Sequence, residues 1–276
     1  MLHYDHYYTI GKTHRVCEDF AIQGNNPTPF LVLSDGCSGS DNTEIGARVL
    51  TLSTKKILEK TEYWPIDYIN FGSQLINTAW EVVRKMQLPG SVLDATVMLA
   101  FLHQDQIRVY VYGDGCLFFK DQAGNLGTIE ISFTHNAPYY LTYWYDKARQ
   151  REYAKYGSTP LLVKDSRQEK FELQPFQTEL VFSFPLQEFQ LVAIASDGAA
   201  QCVDINKRRK LPLDEVAANL LTFSNFTDEF VKRHAENTLE LYARQGIYPA
   251  DDLSIGVFAQ HNHAVKSNSS FDSKFF

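Results

Sequence analysis

The sequence predicts an α+β protein in which antiparallel β-sheets are covered by helices. Three observations carry this expectation. Short apolar, β-rich runs cluster in two zones of the chain, and the second zone contains a hairpin signal. Two pairs of helical segments follow those zones, with apolar residues recurring at three- and four-residue spacing. The resulting order is strands, two helices, many strands, two helices, one strand. That order is neither regular βαβ alternation nor a repeat array.

The first zone holds "DFAIQG" (Asp19–Gly24) and "FLVLSDG" (Phe30–Gly36). Two helices come next. On the first, Ala47, Leu50, Thr54, Ile57 and Leu58 fall on one face. On the second, Ile69, Ile76, Ala79, Val83 and Met86 do so, and "LPG" at Leu88–Gly90 stops it. The second zone runs from "TVMLAFL" (Thr96–Leu102) through "IRVYVYGDG" (Ile107–Gly115) to "CLFFKDQAGNLGTIEISF" (Cys116–Phe133). Its Gly and Asn residues in "KDQAGNLG" mark a tight turn between two strands. Tyr139–Tyr156, "YYLTYWYDKARQREYAKY", is crowded with aromatic and charged residues and has no clear apolar face, so it reads as an excursion from the sheet. After "LVAIASDG" (Leu191–Gly198), a helical zone covers Leu213–Gln245. It is broken near Ser224–Thr227 and ended by Gly246. The last strand is "DLSIGVFAQ". No linker divides the chain, so one domain over 1–261 is expected, with a polar tail over 262–276.

At 276 residues the chain can bury one sizeable core. Its 26 basic and 33 acidic residues give a net charge of −7, which makes nucleic acid a poor partner. An acidic surface does not repel the substrate of a site whose local charge is set by bound cations. Cys17, Cys37, Cys116 and Cys202 form no Cys-x-x-Cys pair, which argues against a zinc knuckle or a thioredoxin-type centre. The opening "MLHYDHYYTI" lacks the features of a signal peptide, and no apolar run has membrane-spanning length. A soluble protein in a reducing, cytoplasmic setting, with no membrane contact, is expected. The basic run "NKRRK" (Asn206–Lys210) reads as a solvated loop rather than a targeting or binding signal.

Three apolar strands end in the same way: "FLVLSDG", "VYVYGDG" and "LVAIASDG". One Asp-Gly pair signals only a tight turn. Here Asp35, Asp114 and Asp197 are joined by Glu18 and Asp19 in "CEDFA" and by Asp251 and Asp252 in "ADDLSIGVF". Each acidic group adjoins an apolar strand, so strand ends gathered on one rim would bring the carboxylates together. Crowded carboxylates repel and stay ionised only around cations. All-oxygen ligation selects hard ions: Mg²⁺, Mn²⁺ or Ca²⁺. A calcium loop is disfavoured because no Asp-x-Asp-x-Asp-Gly run is present. Two hard cations in a carboxylate site point to phosphate-ester hydrolysis, with one aspartate and an activated water bridging the ions.

The ordered motifs "GKTHRVCEDFAI", "FLVLSDGCSGSDNTEIGARV", "LDATVMLAF", "VYVYGDG", "VAIASDGAA" and "DDLSIGVF" resemble the protein phosphatase 2C family, in a divergent bacterial-type form. The resemblance runs from Gly11 to about Phe258. It implies a four-layer α-β-β-α sandwich, two antiparallel sheets flanked by helix pairs. It also implies a metal-dependent Ser/Thr phosphoprotein phosphatase using two Mn²⁺ or Mg²⁺ ions, with room for a weaker third, and a metal-bridging hydroxide as nucleophile. By the same resemblance Asp35 bridges the metals and the Gly36 carbonyl binds the second. Asp197 and Asp251 hold the first. Glu18 and Asp19 complete the coordination of the second metal, directly or through water, and Asp114 serves the third. Asp252 is implied as an outer-shell or turn residue. A variable flap is implied over about 136–170, which either receives a phosphopeptide or packs its aromatics on its own domain.

Four positions depart from the family pattern. Cys37 stands where many members have a histidine that protonates the leaving group, and a thiol is a poor acid for that task. His14 is a stand-in, or else a surface or capping histidine. It also occupies the place of the phosphate-gripping arginine, which leaves Arg15, one residue closer to Glu18, as the cation expected to reach the phosphate. Gln201 replaces the aspartate expected after Asp197, and Asp94 begins an unusual "DAT" turn. A phosphoprotein substrate and a monomeric chain are expected. The other readings are a catalytically weak phosphatase-like regulator and a phosphatase of small molecules.

Overall fold

A computed structural model describes residues 1–61, 64–168 and 171–260. The expected tail at 262–276 lies outside the described residues. In chain order the elements are β1 (Leu2–Thr9), β2 (Asp19–Gly24), β3 (Phe30–Gly36), α1 (Thr43–Lys60), α2 (Tyr68–Lys85), β4 (Ala95–His103), β5 (Gln106–Tyr112), β6 (Gly115–Asp121) and β7 (Leu126–Phe133). Then come α3 (Thr142–Tyr145), α4 (Lys147–Tyr153), β8 (Leu161–Asp165), β9 (Glu172–Gln174), β10 (Leu180–Pro185), β11 (Phe189–Ala195), β12 (Cys202–Asp204) and β13 (Arg209–Lys210). The chain continues through α5 (Leu213–Leu220), α6 (Phe230–Arg244), β14 (Ile247–Pro249) and β15 (Leu253–Gln260).

The strands form two large antiparallel sheets. One runs β1-β15-β11-β6-β7-β8-β9, the other β10-β5-β4-β3-β2, and a small third sheet runs β13-β12-β14. Alternation along each strand explains the layers. Leu31, Leu33, Met98 and Val109 of one large sheet face Leu117, Ile129, Val192 and Ile194 of the other in a shared core. The opposite residues, Phe30, Val32, Val97 and Tyr110, pack under Leu50, Phe71 and Ala79 of α1 and α2. Phe118, Ala193 and Val257 meet Val216, Phe230 and Ala235 of α5 and α6 in the same way. The architecture is therefore the four-layer α-β-β-α sandwich. Among the described residues no helix is long and apolar enough to cross a membrane.

Two local expectations change. On α2, Ile69 and Met86 are exposed. The buried stripe instead contains Tyr68, Phe71, Gly72, Leu75, Ile76, Ala79 and Val83. The stripe turns toward Tyr68 and Gly72 because α3 packs there, with Trp144 against Tyr68 and Tyr112. The Tyr139–Tyr156 excursion is helical, and most of its aromatics face inward: Tyr139, Tyr140, Leu141 and Tyr153 are buried and Tyr143 and Trp144 pack against the core from partly buried positions, whereas Tyr145 and Tyr156 are exposed. This fits the self-packing alternative for the flap.

Candidate metal centre

The centre forms where strand ends of the two large sheets meet. Antiparallel register sets Asp19 of β2 directly opposite Asp35 of β3, and Asp35 opposite Thr96 of β4. Two acids directly opposite each other on a ladder destabilise it unless something compensates. Asp114 lies on the crossover from β5 to β6, between Gly113 (φ 120°) and Gly115 (φ 131°). Asp197 follows β11, and Asp251 precedes β15, its neighbour in the sheet. The two come together because residue 198 is glycine: a Cβ there would lie 1.9 Å from the Asp252 carbonyl oxygen.

Asp35, Asp114, Asp197 and Asp251 line one cavity of about 330 Å³, together with the Cys37–Gly39 loop and Tyr140 of the flap. No lysine or arginine is among its lining residues. Burial, followed by the charges of Asp19, Asp197, Asp114 and Asp251, pushes the Asp35 carboxyl well above the usual range. Asp114 is pushed up to about 7 by burial and Asp197, against the Thr96 hydroxyl, which donates to it over 2.6 Å. Burial and Asp251 likewise raise Asp197. Asp19, fully buried behind the cavity, is pushed up to about 8, chiefly by burial. Its Oδ2 accepts from Ser196 Oγ at 2.7 Å, whereas Oδ1 has no hydrogen-bond partner.

The remaining sequence candidates sit around this box. Glu18 does not line the cavity. Thr43 Oγ1 donates to its Oε1 at 3.1 Å, and burial raises its pKa. Asp252 is a structural clamp: its Oδ1 accepts from the Gly11 amide at 2.6 Å and its Oδ2 from the Glu18 amide at 2.5 Å. His14 Nε2 lies 3.2 Å from Asp251 Oδ1, and Nδ1 lies 3.2 Å from Asp252 Oδ2 without an aligned hydrogen bond. Burial alone would lower the His14 pKa, but the carboxylates of Asp252, Asp251 and Glu18 outweigh it and the net direction is upward. Neither His14 nor Arg15 lines the cavity, and Arg15 is exposed.

Two residues have roles that sequence reasoning gave little weight. Gln201 Nε2 donates to Asp197 Oδ2 at 2.7 Å and to Asp251 Oδ2 at 3.0 Å, spanning two acids of the box. Asp94 is 1% exposed and accepts from the two terminal nitrogens of Arg149 in α4, Nη1 and Nη2, each at 2.8 Å. Thr142 Oγ1 and Ser40 Oγ also donate to it, at 2.8 and 2.9 Å, and its carbonyl accepts from the Cys37 amide at 2.9 Å. Asp94 thus ties the flap to the loop that follows Asp35. The departure from the family turn at this position was the available signal, but its partner lies 55 residues away.

The donors fit hard cations. The cavity presents oxygen ligands, its acids raise one another's pKa values, and a buried carboxylate oxygen beside it is left without a partner. A carboxylate-rich box at the seam of an α-β-β-α sandwich is the class of centre that fold and site define. The chain belongs to the protein phosphatase 2C family, whose profile matches residues 11–243, a span that ends before Asp251. Solved structures agree on the fold. The serine/threonine phosphatase Stp1 from Staphylococcus aureus is 14% identical, with 95% of this chain and 96% of that one covered at a TM-score of 0.59. The S. agalactiae serine/threonine phosphatase is 16% identical, with 95% and 100% covered at 0.60. The catalytic domain of the serine threonine protein phosphatase PstP, in complex with two manganese ions, is 15% identical, with 94% and 97% covered at 0.55. No curated protein sequence matches the chain significantly.

Proposed function

We propose that this protein is a Mn²⁺- or Mg²⁺-dependent Ser/Thr phosphoprotein phosphatase. The observation that carries the proposal is the cavity lined by four carboxylates and no cationic side chain. Asp35, Asp197 and Asp251 would hold one cation. Asp35, the Gly36 carbonyl, Glu18 and Asp19 would hold the second, the last two directly or through water. Asp114 would serve a weaker third. The cations, when bound, supply the positive charge that activates water and offsets charge developing on the phosphoryl group.

The chain's own residues set the geometry for that chemistry. Ser196 orients Asp19, Thr96 orients Asp114, and Gln201 spaces Asp197 from Asp251. His14 stands behind Asp251 and braces it from outside the cavity, so its role is positioning rather than protonation of the leaving group. Cys37 lines the cavity, where its thiol is a weak proton donor. All the carboxylates come from one chain, which supports action as a monomer. The four free thiols fit a reducing cytoplasm.

The test is hydrolysis of a generic aryl phosphate with Mn²⁺, with Mg²⁺ and with chelator, for wild type and Asp35→Asn. The expected result is metal-dependent turnover that chelator and the substitution both abolish. Absence of turnover in a folded, metal-binding wild type would refute the enzymatic reading. A phosphopeptide panel set against sugar phosphates and nucleotides then tests the protein substrate.

A further inference from the structure

A second cavity, of about 370 Å³, lies back to back with the metal cavity and takes no part in the chemistry described above. It opens between α2, the flap and the end of the sandwich core. Tyr68, Tyr112, Phe133, Tyr139, Trp144 and Phe176 line it. Several of their polar atoms are already engaged. The Tyr68 hydroxyl donates to the Val111 carbonyl at 2.8 Å, and the Tyr112 hydroxyl to the Tyr68 carbonyl at 2.7 Å. The Tyr139 hydroxyl accepts from Gln150 at 2.7 Å. Tyr68, Tyr112, Phe133 and Tyr139 are buried, and Tyr68 stacks on Tyr112, so the half-buried Trp144 and Phe176 are the rings that present surface to an occupant. Lys147 is the cationic residue of the lining. Its Nζ donates to the side-chain Oε1 of Gln150 at 3.3 Å, and no carboxylate pairs with it among the described residues.

The two cavities are lined by neighbouring residues of the same segments, which form a shared wall. Along the flap, Asn136, Pro138 and Tyr140 face the metal cavity, while Tyr139 and Leu141 face the aromatic one. On the sandwich side the same division falls between neighbours: Gly113 lines the aromatic cavity and Asp114 the metal cavity. Gly113 is packed so closely on Thr96 that a Cβ there would lie 2.4 Å from the Thr96 hydroxyl, the group that holds Asp114. A molecule pressing on Gly113 and Leu141 pushes on the wall that positions Asp114 and Tyr140.

We propose that this aromatic cavity binds a small planar aromatic anion and that its occupancy is transmitted through the shared wall to the metal cavity. The volume suits a compact ligand, the half-buried Trp144 and Phe176 give a planar one aromatic surface, and the exposed Lys147 at the rim pairs with a carboxylate, sulfonate or phosphate. The binding half stands on geometry alone. The transmission half rests on the metal-site reading above.

Naphthalene-2-sulfonate, a planar fluorescent aromatic anion, serves as the probe. Wild type should bind it saturably at one site. Lys147 sits exposed at the rim, so Lys147→Met should weaken binding about threefold, the worth of one exposed ion pair. Ser73→Trp, which places an indole in the cavity from α2, should abolish it. Circular dichroism establishes that each variant is folded, and if Ser73→Trp does not fold, the Lys147→Met comparison decides. Non-saturable binding, or equal affinity in the folded variants, overturns the site. Saturating probe should also shift the Mn²⁺ dissociation constant, read by calorimetry, about fivefold or more. An unchanged constant overturns the transmission. Neither measurement requires turnover, so failure here is distinct from failure of the phosphatase reading.

Discussion

Replacing Arg149 with methionine tests whether the flap is held beside the metal cavity by its ion pair with Asp94. Asp94 is 1% exposed and accepts four side-chain hydrogen bonds, two of them from Arg149. Stranding a fully buried charge costs about 3–5 kcal/mol. Here the cost is smaller, because Arg149 is 35% exposed and water can follow its departure. Thr142 and Ser40 also still donate. We expect about 2 kcal/mol. Methionine keeps an apolar stem near Tyr143, whose ring lies 4.9 Å from the guanidinium carbon, so the loss is chiefly electrostatic. The flap can open without unfolding the sandwich, so the effect falls on local opening. Amide exchange in α3 and α4 should accelerate roughly thirtyfold, while the melting temperature falls by no more than about 4 °C. Arg149→Lys, which cannot reproduce the two-pronged contact, should recover only part of the protection. Unchanged exchange in the flap would refute the argument. Equal acceleration across the central strands would refute it too, because the pair would then support the whole fold.

Three further outcomes follow from the site. In metal-free protein Asp19 and Asp114, raised to about 8 and about 7, hold protons that the unfolded chain releases near the ordinary carboxylate value of about 3.9. Their contribution is full below that value and lost as pH rises through their folded-state values. The metal-free melting temperature should therefore fall between about pH 5 and pH 8, and a rise across that interval would contradict the assignment. Saturating Mn²⁺ should remove the fall. Gln201→Leu strands the facing oxygens of Asp197 and Asp251 and should cost about 1–2 kcal/mol in chelator, with most of it restored by Mn²⁺ in a thermal melt. Gly198→Ala forces a methyl against the Asp252 carbonyl. It should cost about 2 kcal/mol or more and lower Mn²⁺ affinity, because Asp197 and Asp251 are pushed apart.

Much of the scaffold was legible because its signals are local. β3 is the quoted run Phe30–Gly36, and α1 buries the five residues read as its face. The acidic residues were legible as a set, since each follows or precedes an apolar strand, and the structure brings Asp35, Asp114, Asp197 and Asp251 to one cavity. Long-range features were not. β1 was read only for what it lacks as a leader, yet it pairs along its whole length with β15. Its burial is intermediate nearly throughout, so its sequence carries no clean alternation. On α2 the apolar spacing admits two neighbouring faces, and contact with the flap decides between them. The ligand-side cation expected of Arg15 is not in the cavity, and His14 is engaged with carboxylates instead. Spacing in sequence does not reveal which way a loop side chain turns.

The Asp252 clamp has a consequence for the order in which the molecule is made. Its carboxylate gathers the Gly11 and Glu18 amides from 241 and 234 residues earlier in the chain. The same turn carries Asp251, and the strand that follows it zips onto β1. During synthesis the first half of the cluster leaves the ribosome long before the second. A nascent chain holds Glu18, Asp19 and Asp35 with no Asp251 to face them and no seam to enclose them. The centre comes into being only when β15 slots between β1 and β11, so activity is withheld until nearly the whole sandwich has been translated.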